Sequence, residues 1–423
     1  MTVSSKPLWQ EPDFRRLWAG QTVSVLGGQV TLFALPVVAV LLLHADASGL
    51  ALIRALEFAP FALLTLPVGL WLDRRAPRPA MLGANVVRAL TIGAAALAGL
   101  TGNLTLALLC VIVFVLGAAT VVFDLAYLSY VPALVRRDRL VEGNSKLAVS
   151  DSVAAVAGPG LAGLLIQAIT PPAALLLDSL SYIASIVSLR RIRATDRPPV
   201  APPDEGDVLR RITEGIRAVA RDRYLRVICV EAFSYNLFIQ FGATLTVLYA
   251  LRDLGLTATE LGVYTGAGSI GAVAGSVFAP ATIRLLGFGP TFVGGAVIAC
   301  VAPVLVPLIP PGSPAAGPVV LSSYLLTGFG VTISVIGSVT LRQSVTPDHL
   351  LGRVNAAMRF VGYSALPLGA MLSGAVAAAT STRTALYVGA AALALPVLIL
   401  AFSPVPRLRD PHQAVALTGA GDR

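Results

Sequence analysis

Charge is what this sequence has least of. Only 13% of its 423 residues are Asp, Glu, Lys or Arg. An average soluble domain carries about 25%, roughly twice as much, so a water-soluble globular fold of this length is excluded. Cysteine is also scarce. Cys110, Cys229 and Cys300 all lie in apolar runs, with no CxxC and no Cys/His spacing suited to a metal. They are expected to be small buried apolar residues. The scattered His44, His349 and His412 leave no material for a zinc site. No Gly-x-x-x-x-Gly-Lys-Ser/Thr loop is present, so an ATP-driven pump would require a separate ATPase subunit. The sequence has no Asp-Asp-x-x-Asp cluster either, which argues against a polytopic lipid or prenyl transferase acting on a metal-bound diphosphate.

What is present is apolar. Hydrophobic residues make up 56% of the chain and the mean hydropathy is +0.80. Gly (39) and Pro (29) are frequent, but this apolar content excludes a disordered or collagen-like chain. A bilayer-crossing helix needs about 20 mostly apolar residues. Twelve stretches qualify: 17–43, 48–71, 80–100, 104–133, 145–169, 172–190, 224–250, 257–281, 290–310, 315–342, 355–379 and 384–403. The first is too long for a cleavable signal and ends in no small-x-small site, so it is expected to be retained.

Arginine and lysine orient the spans. One set of loops carries Arg74, Arg75 and Arg78, then Arg136, Arg137, Arg139 and Lys146, a cluster from Arg190 to Arg226, Arg284, and Arg342, Arg353 and Arg359. The alternate loops carry only Arg252 and Arg383. Both termini are therefore expected in the cytoplasm, in a multi-pass protein of the inner (plasma) membrane. The net charge of +9 is spread between apolar runs, which points to anionic lipid headgroups rather than nucleic acid as its partner.

The longest loop divides the chain into six spans and six spans. The expected organisation is an N-terminal bundle (1–190), a cytoplasmic linker (191–223), a C-terminal bundle (224–403) and a tail (404–423). In the linker, Val208, Leu209, Ile212, Ile216 and Val219 share one helical face with arginines opposite. That pattern predicts an amphipathic helix lying flat on the inner membrane surface. A shift of 211 residues superposes Gly117 on Gly328, Leu140 on Leu351, Asn144 on Asn355, Gly158 on Gly369 and Gly163 on Gly374. Such a duplication places a substrate site near the midplane, with rocking of the halves giving alternating access.

Between spans two and three stands Gly69-Leu-Trp-Leu-Asp73-Arg74-Arg75-Ala76-Pro77-Arg78. It resembles the Gly-x-x-x-Asp-Arg-x-Gly-x-Arg loop of the major facilitator superfamily, with Ala76 in place of a glycine. The resemblance implies an all-α polytopic fold of twelve transmembrane helices in two pseudo-symmetric six-helix bundles. Gly69 is expected to permit close helix contact, and Asp73, Arg74 and Arg78 to act in a cytoplasmic gating loop. In the second half Gly287 is kept and Arg284 replaces the acid. Gly158, Pro159 and Gly163 in span five resemble the element that marks exporters and antiporters of the superfamily. Leu176-Leu-Asp178-Ser-Leu-Ser-Tyr182, Glu214–Leu225 and Asp13–Trp18 resemble the siderophore-exporter and macrolide-efflux-like branch. Two features of the wider group are missing: Val113 stands near the span-four arginine position, and Leu26-Gly27-Gly28-Gln29 lacks an acid.

Charged side chains in hydrocarbon cost about 2.5–3.5 kcal/mol on insertion scales, so those present call for a role. Arg54 and Glu57 stand three apart and are placed to neutralise each other. Arg88 needs a carboxylate, from Asp124 or Asp178. Asp124, in line with Thr120 and Tyr127, is the leading candidate for proton coupling, followed by Glu231 and Asp178. Gln21, Ser24, Gln29 and Thr31 in span one, and Phe233, Asn236, Gln240 and Thr244 in span seven, are the candidate substrate-cavity faces.

Together these features predict a secondary transporter, without a cofactor and not an enzyme. Its expected action is proton-coupled efflux of a small amphipathic compound by a monomeric chain. An importer or uniporter of a small metabolite is the alternative.

Overall fold

A computed structural model describes residues 8–72, 75–136, 139–193, 208–411 and 413–414. Inside a bilayer every backbone N–H and C=O must be satisfied within the chain, and the apolar runs accordingly form helices. These are α1 (Pro12–Leu41), α2 (Ala47–Leu72), α3 (Pro77–Leu100), α4 (Leu106–Leu134), α5 (Leu140–Ala168) and α6 (Pro171–Arg191), then α7 (Val208–Arg221). After them come α8 (Arg223–Arg252), α9 (Ala258–Leu286), α10 (Phe288–Val301), α11 (Leu305–Leu308), α12 (Ala316–Val345), α13 (Asp348–Ala379), α14 (Thr382–Ala392) and α15 (Ala394–Ala401).

Among the described residues, twelve helical segments are long and apolar enough to cross a membrane. The ninth, Phe288–Leu308, joins α10 and α11 through a 3-10 turn at Ala302–Val304 that contains Pro303. The twelfth joins α14 and α15. The protein is therefore a multi-pass membrane protein. Short polar side chains close the helix starts where the chain turns. Thr105 accepts from the Leu108 amide and Thr170 from Ala173. Thr257 and Glu260 form a reciprocal capping box. One boundary differs clearly from the apolar ruler: α13 begins at Asp348, not at 355. A hydropathy window stops where Arg353 and His349 begin, whereas the helix runs back to Pro347.

The chain divides into two compact units, Met1–His44 with Ala59–Pro203, and Ala45–Phe58 with Asp204–Arg423. In the first, α1 packs on α5 and α6, and α3 packs on α4 and α6. The second repeats these pairings: α8 packs on α13 and on α14 and α15, and α10 packs on α12 and α15. Equivalent glycines sit in equivalent seams. A Cβ on Gly158 would meet Gln29 of α1, and one on Gly369 would meet the Leu237 carbonyl of α8.

Of the apolar stripe of the linker helix α7, the described side chains are those of Ile216 and Val219, and they differ in burial. Gly215 is buried where an added Cβ would lie 2.4 Å from the Arg353 carbonyl oxygen of α13. Val219 is buried with Tyr224, Leu225 and Ile228, while Ile216 is exposed. Protein contact with α13 thus takes the face that sequence periodicity assigns to the membrane surface. The residues after the last span are tied down as well. The amides of Phe288 and Gly289 donate to the carbonyls of Arg409 and Leu408 at 3.1 and 2.7 Å. The turn they occupy requires Gly287, whose φ of +90° is costly for any other residue.

The tightest helix contact is α9 on α12, where a Cβ on Gly328 would sit 1.8 Å from the Gly268 carbonyl oxygen. Close approach through small residues is how membrane helices gain packing energy without a hydrophobic driving force. Replacing Gly328 by Ala should therefore destabilise the fold by about 1–3 kcal/mol. Gly294→Ala, where the new methyl meets nothing within 4 Å, should be neutral or slightly stabilising. Thermal unfolding of the two detergent-solubilised variants checks this, and equal midpoints would contradict the seam.

Candidate functional site

The first unit holds a buried polar network between α1, α3, α4 and α6. Asp178 of α6 is 0% exposed. Thr31 of α1 donates to its Oδ2, and Ser181 donates to its Oδ1 at 2.9 Å. The helices can meet there because position 27 is glycine: an added Cβ would lie 2.4 Å from Asp178 Oδ1. Arg88 of α3, only 6% exposed, lies 4.4 Å over the Phe123 ring and 5.4 Å over Tyr182. Its Nη1 donates to Asn85 Oδ1 at 3.4 Å, and Asn85 donates to Ser185 at 3.0 Å. Arg88 Nη2 stands 3.8 Å from Asp124 Oδ1, and Asp124's side chain is 44% exposed. Two aromatic faces, an amide and a carboxylate therefore share one cation, in place of a single direct ion pair.

Other candidates in this unit lie on α1, α4 and α5. Ser24 is buried, and Gln29 packs against Gly158 of α5. Thr120 donates to the Leu116 carbonyl, and Tyr127 stacks on Phe123 at 6.0 Å. Gln21 is half-buried. Pro159 lies inside α5, as does Gly163.

The second unit holds a different arrangement. Glu231 of α8 is 5% exposed, and no hydrogen bond or ion pair reaches its carboxylate among the described residues. It lines a cavity of about 180 Å³ with Tyr235, Asn236, Ser334 and Ser338. The serines stand four apart on α12, and Glu231 and Tyr235 four apart on α8, so two polar stripes face one small space. Sequence reading identified Glu231 and Asn236 but passed over Tyr235, Ser334 and Ser338. The i,i+4 spacing within apolar runs was the signal available. Asn236 donates to the Gly362 carbonyl at 3.3 Å, Thr244 donates to the Gln240 carbonyl at 2.8 Å, and Phe233 is half-buried. Arg54 and Glu57 form an ion pair at 2.8 Å, 14% and 15% exposed.

In the loop between α2 and α3, Asp73 and Arg74 lie outside the described residues. Arg78 clamps the end of α6: its Nε and Nη2 donate to the carbonyls of Leu189 and Arg190, both at 3.0 Å. The close contact expected at Gly69 is missing, since a Cβ there would meet nothing within 4 Å among the described residues.

A twelve-span helical chain with repeated pairings and this loop invites comparison with known transporters. The sequence profile of the Major Facilitator Superfamily matches residues 17–370. The chain belongs to that superfamily. It is a secondary transporter for a small molecule, not an enzyme. Among curated proteins it is similar to the multidrug efflux pump Tap of Mycolicibacterium fortuitum, 28% identical over 265 residues. That match covers 60% of this chain and 61% of Tap, so the chain spans less than two thirds of that relative. Among solved structures, a bacterial homologue of the iron transporter ferroportin in an inward-facing state superposes with a TM-score of 0.72 at 21% identity, covering 93% of this chain and 98% of the other. The nucleoside transporter NupG superposes with a TM-score of 0.73 at 10% identity, covering 92% and 98%. At these identities the likeness is one of fold.

Within this superfamily member, the Arg78 fork donates to two carbonyls at the C-terminal end of α6, one of which, that of Leu189, also accepts from the Ile192 amide. Arg78→Ala should speed amide hydrogen exchange in the last turn of α6, and Arg78→Lys should restore only part of the protection, because an ammonium cannot span both carbonyls in one plane. Unchanged exchange in Arg78→Ala would show the clamp to be idle.

Proposed function

We propose that this transporter is a proton-coupled exporter of a small amphipathic organic compound. We assign it to the inner membrane with both termini cytoplasmic, and to the siderophore-exporter and macrolide-efflux-like branch. The observation that carries the coupling is Glu231, buried beside a small polar cavity with no cation at hand. An ionised carboxylate in such a place costs several kcal/mol unless it is compensated, so it holds a proton or waits for one. Asp178 differs, because Thr31 and Ser181 already satisfy it. Asp124 shares Arg88 and is partly exposed. Glu231 therefore takes first place, ahead of the acid favoured by its span-four stripe.

Export as the direction is supported by the likeness to Tap and by the Gly158–Pro159–Gly163 element. Antiport needs proton and substrate to exclude one another. Asn236 lies on the cavity wall beside Glu231, and Phe233, Gln240 and Thr244 continue along the same helix. A ligand that draws on the Asn236 amide would reach the compartment where the proton resides. One proton entering down the membrane potential supplies about 2.3 kcal/mol per 100 mV, enough for modest accumulation on the far side.

Proteoliposomes loaded with a fluorescent amphipathic cation and given an imposed pH gradient test the reading. Glu231→Gln should abolish gradient-driven transport while leaving substrate counterflow in place, and Asp124→Asn should retain most of the driven rate. Full gradient-driven transport by Glu231→Gln would refute the assignment.

A further inference from the structure

The second unit contains a larger cavity that the transport reading leaves unused. It occupies about 900 Å³ between α7, the start of α8 and the turn from α12 into α13. Four arginines line it: Arg217, Arg221, Arg223 and Arg353. Among the described residues two acids also line it, and one of them neutralises the cavity's own Arg353. Glu214 pairs with Arg353 at 2.6 Å. Asp222 caps α8, accepting from the amides of Tyr224 and Leu225 at 2.8 Å each. Among the described residues no carboxylate lies within ion-pair distance of Arg217, Arg221 or Arg223. Arg217 and Arg221 stand one helical turn apart on α7, and Arg223 is held 4.8 Å over the Tyr224 ring.

Arg217, Arg221 and Arg223 are exposed to solvent. Thr346, on the same wall, is 5% exposed, and its hydroxyl is buried with no hydrogen-bond partner. A buried hydroxyl is costly to leave unpaired, and an acceptor oxygen brought to this wall would satisfy it. Val345, Leu350 and Leu225 provide apolar wall beside the charges. The chemistry is that of a phosphate group: several guanidinium forks facing acceptor oxygens, where Arg is favoured over Lys for its planar, paired donors.

We propose that this cavity binds a phosphate-bearing anion, either the headgroup of an anionic phospholipid or a free phosphate. The arginine distribution assigns this end of the unit to the cytoplasmic surface, where both sources are found. Its walls come from the linker helix and from the ends of three membrane helices, α8, α12 and α13. Occupancy therefore fastens α7 to the α12–α13 turn, adding to the Gly215 contact and the Glu214–Arg353 pair. Neither Glu231 nor the substrate enters this argument, so it stands or falls apart from proton coupling.

The test is thermal unfolding of the full-length protein in nanodiscs. One arm uses phosphatidylcholine discs titrated with inorganic phosphate. The other uses discs in which phosphatidylglycerol replaces part of the phosphatidylcholine. The expected result is a saturable rise in unfolding temperature in at least one arm, and the arm that responds identifies the source. Arg217→Gln/Arg221→Gln should weaken the response at least about tenfold, as expected when charge-assisted bonds are lost. The charge-matched Arg284→Gln/Arg407→Gln, at exposed positions away from the cavity, should respond as wild type. Thr346→Val keeps the shape and removes the hydroxyl, so it reports on the site should the double variant fail to fold; it too should respond more weakly. No stabilisation in either arm would overturn the proposal. So would equal loss in the matched control, or an unaltered response in both Arg217→Gln/Arg221→Gln and Thr346→Val.

Discussion

Hydrocarbon solvates neither charge nor backbone, and most features of this protein answer to that. The chain responds first by forming helices, which satisfy their own amides, and then by bringing those helices together through small residues. Each ionisable group left inside the membrane must be neutralised by something specific. Arg88 is shared among two rings, an amide and Asp124. Asp178 is held by hydroxyls, and Arg54 is held by Glu57. Glu231 is the buried carboxylate for which the described residues provide no such partner.

The contrast between the two units gives the repeat functional meaning. Duplication preserved the helix pairings and the glycine seams, as Gly158 and Gly369 show. The polar contents diverged. The first unit uses its buried polar residues to join α1, α3 and α6 by hydrogen bonds. The second retains a small polar compartment lined by Glu231, Tyr235, Asn236, Ser334 and Ser338.

The fold was legible in the sequence because its signal is long and repetitive: apolar runs, arginine-rich loops at every other connection, and a 211-residue offset in the glycines. Less legible was anything decided by which helix a face meets. The stripe on α7 reads as amphipathic from Val208 to Val219, yet Gly215 and Val219 turn to α13, because a glycine lets two backbones touch and periodicity does not weigh that. Thr31 reads as a cavity residue by spacing, but its partner lies 147 positions away on α6. The serines opposite Glu231 carry no motif, and only folding brings α12 beside α8.

The central claim is that Glu231, not Asp178, is the buried carboxyl that exchanges a proton. Infrared difference spectroscopy across a pH step reads the carbonyl stretch of protonated carboxyl groups directly, without a substrate. The account predicts a titrating band that disappears in Glu231→Gln and persists in Asp178→Asn. A band that survives in Glu231→Gln, or one that disappears only in Asp178→Asn, would contradict it.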